Sequence, residues 1–76
     1  NSVEVGIVFR EIVSGKIKIS FRSKQFVDVN KLAGEFGGGG HNRASGCVIK
    51  GELREVIPLV VQKAQEYVEG SNERDN

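Results

Sequence analysis

Two stretches of the chain alternate apolar and polar residues with a period of two. From Ser2 to Glu11, Val3, Val5, Ile7 and Phe9 alternate with Glu4, Gly6, Val8 and Arg10. From Lys16 to Arg22, Ile17, Ile19 and Phe21 share one side, and Lys16, Lys18, Ser20 and Arg22 the other. Successive side chains of a strand point to opposite faces, so both stretches are expected to be half-buried strands. Ser14-Gly15 between them is a turn signal, and so short a link predicts an antiparallel hairpin.

The period then lengthens. Leu32, Ala33 and Phe36 stand three and four residues apart, the spacing of one apolar stripe on a two-turn helix. Asp28 and Asn30 both suit its N-cap, and the choice between them stays open. With Asp28 as the cap, Val27 and Leu32 occupy the positions of a hydrophobic staple. Four consecutive glycines from Gly37 must end this helix. Gly46 to Lys50, with Cys47, Val48 and Ile49, reads as a third strand.

A longer helix is expected from Gly51 or Glu52 to about Glu69, since Leu53, Val56, Ile57, Val60, Ala64, Tyr67 and Val68 fall on one face. Pro58 interrupts it opposite that face, where water takes the freed Arg54 carbonyl, and a kink is expected. Gly70 is the expected stop. The order β-β-α-β-α predicts an α+β domain over residues 1–69: a small mixed sheet with two helices packed on one face. Residues 70–76 are expected to form a disordered tail.

Composition sharpens this picture. Val and Ile together number 17 against 3 Leu in the 76 residues, a bias toward strands. A domain this short buries only about 60% of the surface its unfolded chain exposes, so its stability is expected to be modest. Eleven Lys+Arg against 10 Asp+Glu leave a formal charge of +1. That balance argues against a polybasic tail or a wholesale nucleic-acid clamp. One cysteine, Cys47, excludes an internal disulfide, and with the one histidine it falls short of the three or four ligands of a zinc site. No apolar run approaches the roughly 20 residues of a membrane span. A soluble, cytoplasmic domain is expected. The chain opens on Asn1-Ser2 rather than Met, which points to a piece of a longer polypeptide.

Candidate chemistry is concentrated in Gly37-Gly38-Gly39-Gly40-His41-Asn42-Arg43. Four glycines inside a compact domain imply a sharp bend or a close approach. Exposed N–H groups in such a bend would form an anion-binding concavity, with His41 and Arg43 beside it as phosphate donors. The competing reading is a flexible linker. No Gly-Lys-Ser/Thr follows, so this is not a nucleotide-hydrolase P-loop, and G-x-G-x-x-G fails at Asn42. No nucleophile–base–acid trio, carboxylate cluster or metal-ligand set accompanies His41, so no residue is assigned a catalytic role and the stretch reads as half of a site. Lys18 reads as solvated, with added positive potential on the Arg22 face as the alternative. Phe21, Phe26 and Phe36 read as packing residues, Phe26 with base stacking as the alternative. Cys47 reads as a small buried hydrophobe.

The run from Lys16 to Gly46 resembles the C-terminal accessory domain of the DHH-family phosphoesterases. Its hallmarks are S-x-R-S at a strand end, a D-V-[SN]-x-[LIV]-A helix start, and a G-G-G-H loop followed by A-[AS]-G. Here they stand as Ser20-Phe21-Arg22-Ser23, Asp28 to Ala33, Gly38 to His41, and Ala44-Ser45-Gly46. The resemblance covers residues 3–69, and the H-x-x-A-S-G spelling is most similar to the nanoRNase/pAp-phosphatase subgroup. It implies a substrate-binding domain of an enzyme hydrolysing short oligoribonucleotides or 3′-phosphoadenosine 5′-phosphate (pAp). It also implies an N-terminal DHH domain in cis that holds manganese or magnesium, with no cofactor in this chain and no activity from this chain alone. Carried over by position, Gly38, Gly39, Gly40 and His41 form the substrate-facing loop and Arg22 grips phosphate. Arg43 is added here as a candidate on its position, with a plain surface charge as the alternative. The alternatives in function are a RecJ-type single-strand exonuclease, a cyclic-dinucleotide phosphodiesterase, or a non-catalytic nucleotide- or RNA-binding module. A homodimer is left open.

Overall fold

A computed structural model describes residues 4–74. The first hairpin forms as the alternation requires: β1 spans Val5–Val13 and β2 Lys16–Ser23, antiparallel, with Ile7 opposite Phe21 and Phe9 opposite Ile19. A bulge between Glu11 and Val13 resets the register so that Val13 faces Lys16. Ile17, Ile19 and Phe21 are completely buried while Lys16, Lys18 and Arg22 are exposed. Burying each of those large apolar side chains contributes on the order of 1.5–3 kcal/mol.

Helix α1 spans Val29–Gly34, and Asp28 is its cap: the carboxylate accepts from the N–H groups of Asn30 (3.0 Å) and Lys31 (3.2 Å). Val27 and Leu32 are both buried, as the staple requires. The chain turns off α1 through a Schellman pair, Gly37 N–H to Gly34 O (3.1 Å) and Gly38 N–H to Ala33 O (2.9 Å). A two-residue strand β3, Gly39–Gly40, and strand β4, Ala44–Lys50, complete a sheet of order β1-β2-β4-β3. Helix α2 spans Leu53–Arg74 and contains Pro58, which is exposed.

The α+β class stands, with both helices on the Ile17/Ile19/Phe21 face, where Leu32, Ala33, Cys47, Val56, Val60 and Ala64 join one core. Four details differ from expectation. The sheet is antiparallel throughout rather than mixed. The connection between β2 and β4 leaves and re-enters at the same end, where Ser23 N–H meets Arg43 O at 2.9 Å, and a chain returning there must run the other way. Half of the glycine run is strand. The long helix does not stop at Gly70: that residue has no positive φ, and nothing redirects the chain before Arg74. Residues 71–74 are therefore helical, and the rest of the expected tail lies outside the described residues. Finally, Phe26 is 53% exposed, because the turn before α1 points Val27 inward instead.

That turn is held by a carboxylate. Glu4 accepts from the N–H groups of Gln25 (3.2 Å), Phe26 (2.6 Å) and Val27 (2.9 Å) and from the Ser23 hydroxyl (3.0 Å). Partial burial pushes its pKa up, but these four donors outweigh that and hold it below its ordinary 4.5. A depressed folded pKa contributes stability above the unfolded value that is lost as pH falls through the folded one. The stability difference between the wild-type chain and Glu4→Gln, from urea denaturation, is therefore expected to be full at pH 6 and to shrink progressively below about pH 4.5. A difference that does not change with pH would show that the carboxylate is not the anchor.

Candidate functional site

The glycine stretch is pinned rather than flexible. Gly40 donates its N–H to Asn30 Oδ1 at 3.0 Å. His41 and Ala44 exchange both backbone hydrogen bonds, His41 N–H to Ala44 O at 2.7 Å and Ala44 N–H to His41 O at 3.3 Å, closing a two-residue turn over Asn42 and Arg43. The turn's carbonyls are taken in turn: Asn42 O accepts from Val29 N–H, and Arg43 O from Ser23 N–H, each at 2.9 Å. The Ser45 hydroxyl adds a 2.6 Å bond to Val29 O. One end of β2, the start of α1 and the start of β4 thus share a single hydrogen-bonded knot.

This corrects the expected amide cradle. The N–H groups of Gly37, Gly38, Gly40 and His41 all have acceptors within the fold, so they do not form an open concavity for an anion. The glycines are needed for proximity instead. A Cβ on Gly38 would overlap the Gly46 carbonyl oxygen and stand 2.6 Å from Cys47 Cβ. At Gly40, φ is +149° and a Cβ would lie 2.7 Å from Ala44 O. Absent side chains let β3 lie against β4 and bring His41 to the sheet.

The register then assembles side chains. Gly6, Arg22 and Ala44 lie opposite one another across β1, β2 and β4, and the reciprocal His41–Ala44 pair extends this row by one position. Paired residues share a face, so Arg22 and His41 flank the Ala44 methyl at one end of the sheet, about 10 Å apart between Cα atoms. Both are exposed, and the face they occupy is the one without helices. In the next row Ser20, Gly46 and Gly39 offer no side chain larger than a hydroxymethyl, and Val8 stands at its β1 end, so the floor is low on the β2, β4 and β3 side. Arg43 is exposed at the tip of the turn, next to this row rather than in it.

Residues 1–70 match the model of the DHHA1 domain. The chain belongs to the DHHA1 domain family. Among curated relatives, this DHHA1 domain is 44% identical over 44 residues to oligoribonuclease NrnB of Bacillus subtilis, covering 57% of the chain and 11% of that protein. It is 36% identical over 62 residues to the bifunctional oligoribonuclease and PAP phosphatase NrnA of Mycoplasma genitalium, covering 79% of the chain and 19% of that protein. The chain thus spans between a tenth and a fifth of the length of these relatives.

Among the described residues no group of three or more His, Cys, Asp or Glu is placed to hold a metal ion. Among them, too, no helix is long and apolar enough to cross a membrane. Two residues of this DHHA1 domain escaped the sequence reading. Asn30, weighed there only as a cap, clamps Gly40, and Ser45 ties β4 to α1. Each bridges positions 10 to 16 apart in the chain, a range at which local pattern carries no signal. Tyr67 supports α1 from the other side: its hydroxyl donates to Glu35 at 2.7 Å, and burial together with that carboxylate pushes its pKa up to about 12.

Proposed function

We propose that this DHHA1 domain grips the substrate of a DHH-type phosphoesterase acting on short phosphodiesters, oligoribonucleotides of a few residues and pAp. The observation that carries the reading is the Arg22–Ala44–His41 row on the open face of the sheet. A guanidinium holds two phosphate oxygens at once, and an imidazole N–H donates a third hydrogen bond. Backbone hydrogen bonds hold the turn that carries His41, which lowers the backbone ordering required on binding. Gly40 contributes by letting the backbone that carries His41 pass close to Ala44 and Ser45, and Arg43 adds charge at the rim. The names of the two relatives support the substrate class. Hydrolysis itself belongs to a DHH domain carrying manganese or magnesium; no step of it is assigned to residues of this chain.

Titration of the chain with pAp, followed by backbone amide NMR, tests this directly. Shifts are expected at Arg22, His41, Ala44 and Gly46, and they should vanish in His41→Ala. Shifts centred elsewhere, or none up to millimolar ligand in the chain and in the full-length protein alike, would overturn the assignment.

A further inference from the structure

A formal charge of +1 conceals a segregation that the fold creates. The register places Arg10 opposite Lys18, and Lys16 opposite Lys50, on the same helix-free face as Arg22. All five side chains are exposed, and none takes part in an ion pair among the described residues. The carboxylates of the described side chains lie elsewhere. Glu4 is in the turn before α1, Asp28 and Glu35 are at the ends of that helix, Glu11 is on the core side of the β1 bulge, and Glu52, Glu55, Glu66 and Glu69 are on or beside α2.

Two like-charged pairs directly opposite each other are destabilising in a sheet, and the fold carries both without a neutralising partner. Between them and Arg22 runs a shallow cleft of about 300 Å³ lined by Val8, Arg10, Lys18 and Ser20. Val8 and Val48, 64% and 48% exposed, supply apolar surface on the same face.

We propose that this face is a track for the sugar–phosphate backbone of a single strand, leading away from the Arg22–His41 row toward Lys16 and Lys50. The proposal rests on the functional reading above and extends it from the terminal nucleotide to the nucleotides that follow. Charge complementarity names the occupant: five cations on one face, with no ion pair among the described residues, suit a polyanion. Length limits it. From Arg22 to Lys16 is six residues of β2, about 20 Å, which accommodates at most about six phosphates even at a helical rise of ~3.4 Å per nucleotide. Such a track favours strands of a few nucleotides over the two-phosphate ligand pAp, which reaches only its near end.

The test compares fluorescent pentaadenylate with pAp on the wild-type chain and on Lys16→Ser/Lys50→Ser, at 50 and 200 mM salt. The wild type is expected to bind the pentamer at least tenfold more tightly than pAp. The double variant should lose most of that advantage, its pentamer salt slope falling by about 1.4, or roughly 0.7 per lost contact to a single strand. Its affinity for pAp should not change, and its Tm should be no lower than that of the wild type, because a like-charged pair has been removed.

Equal affinity for both probes, or a double variant that binds the pentamer as well as the wild type, would overturn the track while leaving the Arg22–His41 reading standing. Failure of both probes to bind would overturn both. Self-association of the wild type that the double variant abolishes would assign the face to a second copy of the chain instead.

Discussion

Gly38→Ala is expected to destabilise the fold by about 3 kcal/mol or more, the range reached when a core position is overpacked against backbone. The added Cβ has no room: it meets the Gly46 carbonyl oxygen, Cys47 Cβ at 2.6 Å and Cys47 Cα at 2.8 Å. Relief requires β3 to move away from β4. That movement pulls on Gly38 N–H, which holds the end of α1, and on Gly40 N–H, which is held by Asn30. Gly39→Ala is the internal control, since its Cβ would meet only Asn30 Oδ1 at 3.3 Å. Urea denaturation should therefore separate the two neighbouring substitutions clearly. Equal stability of Gly38→Ala and wild type would mean that β3 does not pack as described.

The second large effect falls on binding and not on stability. Arg22→Ala should weaken pAp and oligonucleotide binding by roughly 10- to 100-fold, which is what the loss of a charge-assisted contact of about 1.5–3 kcal/mol implies. Arg22 is exposed, and its only neighbours in its row are Gly6 and Ala44. The substitution should therefore shift folding stability by no more than about 0.5 kcal/mol. Arg22→Lys keeps the charge but loses the fork, so it should fall between the two. Calorimetric or NMR titration of the three proteins, alongside their thermal melts, provides the check. Undiminished binding in a folded Arg22→Ala protein removes Arg22 from the site.

The elements with strong local periodicity were legible. The alternation in 2–11 and 16–22 pointed to both strands and to the side of β2 that is buried, because a strand with one apolar face has one way to bury it. The cap was narrowed to two residues, and geometry divided the work between them: Asp28 caps α1, while the Asn30 amide crosses to Gly40. The glycine run stands out in the sequence, but the anion cradle expected of its N–H groups does not form. A glycine run looks the same on paper whether its N–H groups face a ligand or an acceptor of the protein, and here Gly37, Gly38 and Gly40 donate to Gly34, Ala33 and Asn30, and His41 after them to Ala44. Gly70 misled for a related reason. Glycine ends a helix only where the chain is drawn into a left-handed turn, and nothing draws it here.

By itself, then, the sequence determined the class of fold, the buried face of the hairpin, the place of the unusual loop and, through its motifs, the family. Those properties depend on residues within a few positions of one another. Only the tertiary structure decided that Arg22 and His41, 19 positions apart, stand on either side of one alanine. It alone decided that five of the 11 Lys and Arg side chains share a face that holds none of the carboxylates among the described side chains. Net charge is a sum and carries no geometry. Pairing three strands in one particular register, with the helices all on the other side, converts that near-zero sum into a polarised surface.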